Sequence, residues 1–504
     1  MPRYELKSWR TRGRSLTVAA AFLLGLAPLA CGENIVTETN LSPSSITDVQ
    51  GTHSGSVSAL AAKDQRGKEN DPAKWVQFGV SGGKPYKGFR SYYLPESVNP
   101  ARITTITLIV NVFGPSSRDD AFTWSIFNWN TGTYEALGTQ SNCGGTQGRF
   151  RCEADLHSFT AWKWLQYNAL DRPSSNYVDP GTRELRVQVR SANASSYMRM
   201  DYESLGIYSN NGNPGTIWIP PLDTRWQWQI QARANTFPDT NGINIDICRR
   251  PFHGGPCVKP DVFDIDLYVD GSITGAWDGN TVSDDYIFTR DAVQAIHASN
   301  RKVIAYITVG DAENWRADFQ QMVDFDSACG GCFLGKPFSK VFPNEWYVNI
   351  NNDRGQADFM RKMVQARVDK AAASQFDSLE PDVDFAAGNV SGFRISDATQ
   401  VAYNVSIAHI AHADGLSINL KSDVDEALDP QLIAAFDYVL DEQCFQYRQC
   451  ENYAGFQAAG KSNFNAEYRV AVGKFCSKAN AMTFNSIKKD PNFSLYDLPY
   501  TPCR

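Results

Sequence analysis

Eight short apolar runs, spread over the last roughly 280 residues, constrain this chain more than any other feature. They are Trp226–Ile230, Val262–Tyr268, Val303–Val309, Trp346–Ile350, Phe376–Glu380, Leu416–Leu420, Phe436–Leu440 and Asn463–Tyr468. Helix-patterned stretches separate most of them. One spans Ala398 to Ala413, where Val401, Val405 and Ala408 recur at three or four and Gly415 closes the end. Another runs from about Ala357 to Ala373. Alternating strand–helix units of this number predict a (β/α)8 TIM barrel over 223–504, close to the usual size of about 250 residues. A doubly wound open sheet is the alternative, but no Gly-x-Gly-x-x-Gly follows a strand.

The preceding segment has a different period. Ile106, Leu108, Val110 and Val112 alternate with Thr107 and Asn111, and Leu185, Val187 and Val189 alternate with Arg186, Gln188 and Arg190. This predicts an antiparallel β-sandwich over 75–209, one face buried and one wet. Trp124, Trp129, Trp162 and Trp164 fit either its core or sugar-stacking platforms. Asn210-Asn-Gly-Asn-Pro214-Gly215 and Pro220-Pro221 mark a linker at 210–222.

The N-terminus reads as an export signal. Arg10, Arg12 and Arg14 precede the apolar run Leu16 to Leu29, which meets Ala30-Cys31. Residues 1–30 are therefore expected to be a signal peptide, with Cys31 as a bacterial lipidation site or the protein simply secreted. Residues 31–74, rich in Ser, Thr, Asn and Asp, are expected to form a flexible tether. Eleven Cys also favour an exported protein. Without Cys31 ten remain, in the local pairs Cys143/Cys152, Cys248/Cys257, Cys329/Cys332, Cys444/Cys450 and Cys476/Cys503.

Barrel enzymes place chemistry at the C-terminal ends of their strands. Those positions hold Asp264-Ile-Asp266, Asp311, Glu313 and Arg316, then Glu380-Pro-Asp382-Val-Asp384, Lys421, Asp441-Glu442 and Glu467-Tyr468. Some acids must be structural partners of Arg316 or Lys421. Paired carboxylates around one rim are nevertheless what glycosidic cleavage needs, one as acid and one as nucleophile or base. Residues 223–504 carry 26 basic against 37 acidic side chains, a balance that disfavours nucleic acid and favours neutral or cationic partners. His409 and His412 lack the His-Glu-x-x-His pattern, and no phosphate loop or Gly-x-Ser-x-Gly elbow occurs. The expectation is no metal and no cofactor.

The ordered segments Trp226-Gln-Trp-Gln-Ile230, Asp264-Ile-Asp266, Val303-Ile-Ala-Tyr306, Glu313-Asn-Trp-Arg316, Phe376 to Asp384, Gly415 to Lys421 and Glu442-Gln-Cys444 through Tyr447 and Cys450 resemble glycoside-hydrolase family 114, the endo-α-1,4-polygalactosaminidases. The resemblance implies an endo-hydrolase of α-1,4-linked galactosamine or N-acetylgalactosamine polymers. It carries the family's acidic pair onto Asp382 and Glu442. Candidate substrate contacts are Asp266, Tyr306, Glu313, Glu380, Asp384, Lys421, Tyr447, Glu467 and Tyr468, with Tyr306, Trp315, Tyr447 and Tyr468 as possible stacking rings. Val383 stands where the family usually has Asn, and Ala305 where Cys often precedes the Tyr. The 75–209 segment loosely resembles jelly-roll accessory modules of polysaccharide-degrading enzymes. Within the same rim chemistry, a hydrolase of another glycan and a non-catalytic surface glycan-binding protein remain the alternatives. Membrane association is expected only through Cys31.

Overall fold

The computed structural model describes residues 36–65, 69–79, 83–114, 122–140, 162–170, 173–210, 212, 216–232, 237–249, 257–268, 290–338, 342 and 344–504. The expected signal peptide, Cys31 and the Cys143/Cys152 pair lie outside these residues. The other four local Cys pairs are all disulfides.

Two regions follow one another in the chain. The first is built on two antiparallel sheets that share one apolar core, including Leu108, Trp124, Val187 and Leu205. One sheet runs His53–Ser54, Val76–Phe78, Met198–Asn210, Ile103–Phe113, Lys163–Asn168; the other runs Ser45–Gln50, Lys87–Tyr93, Glu184–Ser191, Phe122–Asn128, Thr133–Gln140. The alternating residues Ile106, Leu108, Val110 and Val112 all face inward and are buried.

Two expectations about this region are corrected. The 31–74 segment is not a free tether where it is described. Val36–Leu41 pairs with Met198–Asn210, and Ser45–Gln50 pairs with Lys87–Tyr93. Such strands are held by backbone hydrogen bonds and need few apolar side chains, so composition hid them. The face carrying Thr107 and Asn111 is not wet either, since both are buried. This sheet docks on the second region. Asn168 N–H donates to Gln321 Oε1 at 2.9 Å, Gln321 Nε2 returns a bond to Asn168 O at 2.7 Å, and Gln166 N–H reaches Ala317 O at 2.8 Å. Trp124 and Trp162 are wholly buried. Trp129 is half-buried, with the Arg186 guanidinium 4.8 Å over its ring.

The second region is built on eight parallel strands joined neighbour to neighbour in chain order. These are Trp226–Trp228, Val262–Asp266, Lys302–Thr308, Ser378–Asp382, Ser417–Lys421, Tyr438–Glu442, Asn463–Glu467 and Phe484–Lys488, and Thr501–Pro502 adds an antiparallel end. Trp226 Nε1 donates to Asn485 O at 2.6 Å, bringing the first strand against the eighth. Helices Gln356–Ala373 and Asp397–Ala413 lie between strands as the periodicity predicts. The second is capped by Ser396 Oγ, which accepts from Thr399 N–H at 3.1 Å.

The strand count was right, but one member was not. The Trp346 run forms Glu345–Val348, which pairs antiparallel with Asp311–Glu313 and Leu334–Pro337 in a separate small sheet. The eighth place belongs to Phe484–Lys488, whose two apolar residues among polar ones gave a weak signal. Among the described residues no helix is long and apolar enough to cross a membrane.

Candidate active site

Asp382, Lys421 and Glu442 close the fourth, fifth and sixth parallel strands, so adjacency in the sheet brings them together. In each case the next residue has a left-handed backbone: Val383 at φ 60°, Ser422 at 53° and Gln443 at 65°. The turn takes the chain away from the strand immediately after the functional side chain. For a β-branched residue this conformation costs on the order of 1–2 kcal/mol. Asn tolerates it better, which gives a backbone reason for the Asn usual in the resembled family. Gly310 packs under the same turn, and a Cβ there would lie 1.8 Å from the Val383 carbonyl oxygen. Gly310→Ala is therefore expected to cost about 1–3 kcal/mol or more and to displace Asp382. Thermal unfolding and kcat check this; a variant with unchanged values for both would contradict the packing.

Lys421 is the centre. Its Nζ lies 2.9 Å from Glu380 Oε1, 3.0 Å from Asp382 Oδ1 and 3.3 Å from Glu442 Oε1. The Lys421 side chain is 1% exposed and that of Glu380 0%, whereas Asp382 and Glu442 keep 22% and 16%. The two acids that reach solvent are thus Asp382 and Glu442, and Glu380 is wholly enclosed. Burial alone would drive the ammonium to shed its proton, but the three carboxylates reverse this and raise its pKa well above the usual lysine value.

Each acid has its own hydroxyl. Tyr306 OH donates to Asp382 Oδ2 at 2.8 Å, and Tyr468 OH donates to Glu442 Oε2 at 2.5 Å. Both rings are buried, so these tyrosines orient the acids and do not offer a stacking face. Trp228 Nε1 donates to Glu380 Oε2 at 2.9 Å. Asp264 is fully buried, and burial and the Glu380 charge raise its pKa well above the carboxylate range. Asp384 Oδ2 accepts the Lys421 backbone N–H at 2.9 Å, fixing the strand end that presents the lysine.

Other expected site residues gather elsewhere. Asp266 takes both arms of the Arg316 fork at 2.8 and 2.6 Å, and Glu313 accepts Arg316 Nε at 2.6 Å. Asp311 and Glu345, both buried, lie close enough to Asp382 to feel its charge, and burial raises both well above their ordinary values. Glu467 accepts the Phe445 N–H at 2.9 Å and so supports the segment after Glu442. Tyr447 is half-buried on the short helix Cys444–Tyr447. Sequence reasoning missed Glu345, which stands just before the misplaced Trp346 run, and the polar tip of Trp228, which lay inside an apolar run.

Two buried carboxyls make stability pH-dependent. Burial pushes Asp441 up to about 7, although Tyr453 OH donates to it at 2.6 Å, and pushes Glu467 up to about 7 as well. Unfolded carboxylates titrate near 4, so both groups are neutral in the native state at mild acidity. Their contribution is complete below about 4 and is lost as pH rises to about 7. Asp441→Asn is expected to reduce the slope of urea midpoint against pH across that window. An unaltered slope would rule Asp441 out.

Paired carboxylates at the C-terminal ends of parallel strands are an arrangement that glycoside hydrolysis can use. Residues 209–503 match glycoside-hydrolase family GH114, and residues 60–202 match the N-terminal glycosyl-hydrolase-114-associated domain. The chain belongs to family GH114. Among solved structures it is similar to Aspergillus fumigatus Ega3 in complex with galactosamine, at 24% identity over 56% of this chain and 96% of that one, with a TM-score of 0.42. It is also similar to the Podospora anserina GH26-CBM35 β-(1,4)-mannanase, at 10% identity over 92% and 96%, with a TM-score of 0.31. No curated protein matches it.

Proposed function

We propose that this protein is an exported endo-acting hydrolase of α-1,4-linked galactosamine or N-acetylgalactosamine polysaccharide, using Asp382 and Glu442 as its two carboxylates. The observation that carries the reading is the single ammonium shared between them. Asp382 Oδ1 and Glu442 Oε1 lie 3.0 and 3.3 Å from Lys421 Nζ. The oxygens facing the lysine therefore stand no more than about 6.3 Å apart, short of the roughly 6.5–9.5 Å of inverting carboxyl pairs and compatible with the roughly 5–5.5 Å of retaining ones. In this reading Asp382 is the nucleophile and Glu442 the general acid, and the first product keeps its anomeric configuration. The eight parallel strands close as a (β/α)8 barrel, supported by the Trp226 to Asn485 bond, and the two antiparallel sheets form a β-sandwich. The acidic excess of residues 223–504 suits a cationic aminosugar chain.

Incubating the purified protein with polygalactosamine and with N-acetylated galactosaminogalactan tests the activity, with products read by mass and the first anomer by proton NMR. Oligosaccharide from either supports the reading, and none from both rejects it. Export through a lipid anchor has its own test. A fatty-acid analogue is expected to label the wild type in a bacterial host and to miss Cys31→Ser. Equal labelling of the two, or of neither, removes the anchor.

A further inference from the structure

One sheet of the N-terminal region docks on the second region through Gln166 and Asn168. The other sheet lies across the shared core, and its outer face is not polar as a solvated sheet face usually is. Lys87–Tyr93 buries Arg90 and Tyr92 and turns Phe89 and Tyr93 outward; Phe122–Asn128 buries Trp124 and Ile126 and turns Phe127 outward. Trp129 follows directly, and Tyr134 is the ladder partner of Phe127. Tyr93 is 53% exposed, and the other four rings are half-buried.

These rings form one set around an arginine. Phe127 meets Trp129 edge-on at 4.9 Å between centroids and Tyr134 at 5.0 Å. The Arg186 guanidinium lies 4.8 Å over Trp129 and 5.1 Å over Phe89. Its fork is fixed by Glu184, with Nε donating to Oε1 at 2.7 Å and Nη2 to Oε2 at 2.8 Å, and Glu184 also accepts from Ser91 Oγ at 2.5 Å. The patch is therefore ordered before any ligand arrives, and binding there costs little side-chain freedom. The crowded end of this sheet is the other one. A Cβ on Gly138 would come within 3.0 Å of Asp324 Oδ2 of the second region, and segments 115–121 and 141–161 join the strands at Phe122 and Gln140. All three points lie away from the turn between Asn128 and Thr133 that carries the rings.

Surface aromatic patches of this kind mark binding sites, and the chemistry here selects the occupant. A galacto-configured pyranose gathers C–H bonds on one face and its axial hydroxyl on the other, so that face makes dispersion contact with an aromatic ring. Arg186 carries five N–H donors, of which the Glu184 fork takes two, and a guanidinium can bind sugar hydroxyls with the rest. Charge excludes a polycation. Glu184 neutralises Arg186, and among the described residues the other outward ions on these strands are the paired neighbours Lys87 and Arg190. This is the opposite of the acidic excess in residues 223–504.

We propose that Phe89, Tyr93, Phe127, Trp129 and Tyr134, grouped around Arg186, form a glycan-binding surface for uncharged, N-acetylated stretches of galactosaminogalactan. The choice of polymer rests on the function proposed above; the surface itself rests on the rings. One chain then holds acetylated stretches on its N-terminal region and presents cationic stretches to the acidic rim.

The test uses the whole chain in affinity gel electrophoresis, with N-acetylated galactosaminogalactan or its deacetylated form cast in the gel. The acetylated polymer is expected to retard the wild type. Trp129→Ala should raise Kd at least about tenfold, the effect of removing an aromatic anchor. Tyr93→Ala, which empties no core space, should raise it roughly threefold and carries the test alone if Trp129→Ala does not fold. Retardation by the deacetylated polymer should be the same in wild type and both variants. Equal binding of the acetylated polymer by all three proteins overturns the surface, as does a Trp129 effect confined to the cationic polymer. A dimer in sedimentation that Tyr93→Ala dissolves overturns it too, because a second copy would then cover the face. Hydrolysis is read separately: ring-dependent binding without cleavage supports this surface while rejecting the hydrolase, and cleavage with ring-independent binding does the reverse.

Discussion

Asp382→Asn and Glu442→Gln are each expected to lower kcat on the aminosugar polymer by at least about a hundredfold, the least that a positioned acid or base contributes. Both replacements keep shape and can still accept from Tyr306 or Tyr468. Lys421 retains Glu380 and the remaining acid in either variant, so Tm should move little. This combination separates chemistry from folding. Glu380→Gln is the informative control, because its carboxylate is wholly buried and meets Asp382 and Glu442 through their shared Lys421. Near-normal turnover in either predicted variant, with large losses at Glu380 or Asp266, would mean that the wrong acids were assigned. Asp266 is already committed to the Arg316 fork, which is why a structural role is expected for it.

Lys421→Met should have the largest combined effect, removing activity and costing about 3–5 kcal/mol of stability, the usual penalty for taking one partner from a buried ion pair. Three carboxylates lose their common cation, and Glu380 and Asp264 are left together without it. The variant's defect should depend on pH in a definite direction. With the lysine gone, buried carboxyls retain their protons to higher pH in the native state than in the unfolded chain. Their contribution is then present below the unfolded carboxylate range near 4 and is lost as pH rises through their elevated native values. The variant should therefore lie closer to wild type at pH 5 than at pH 8, as measured by urea midpoints. A constant gap across that range would show that Lys421 acts through packing rather than charge. Lys421→Arg should restore part of the stability but not the rate, because a planar fork cannot place one nitrogen against three carboxylates.

The chain showed seven of its eight parallel strands and their polar ends through periodicity, because a buried parallel strand is apolar along much of its length and its C-terminal residue is not. The joint occurrence of Asp382, Lys421 and Glu442 at such ends was visible in the same way. Partners were less visible. Trp228 lay inside an apolar run and Tyr306 read as a stacking ring, yet their polar tips serve Glu380 and Asp382. The Trp346 run was misread because an apolar run does not show whether its partners are parallel or antiparallel. The 36–60 segment was misread because pairing to a sheet edge uses backbone groups that every residue carries.

What sequence determined by itself was the order of elements, the two regions and the family. All of these follow from local pattern or from motifs read along the chain. Tertiary structure alone decided which acid faces solvent and which is enclosed, since Glu380 and Asp382 are two residues apart and so share one face of their strand, where alternation cannot tell them apart. It also decided that one lysine joins three carboxylates, two from one strand and one from another. Such contacts depend on how the sheets close and on what burial does to a charge, and neither is written in neighbouring residues.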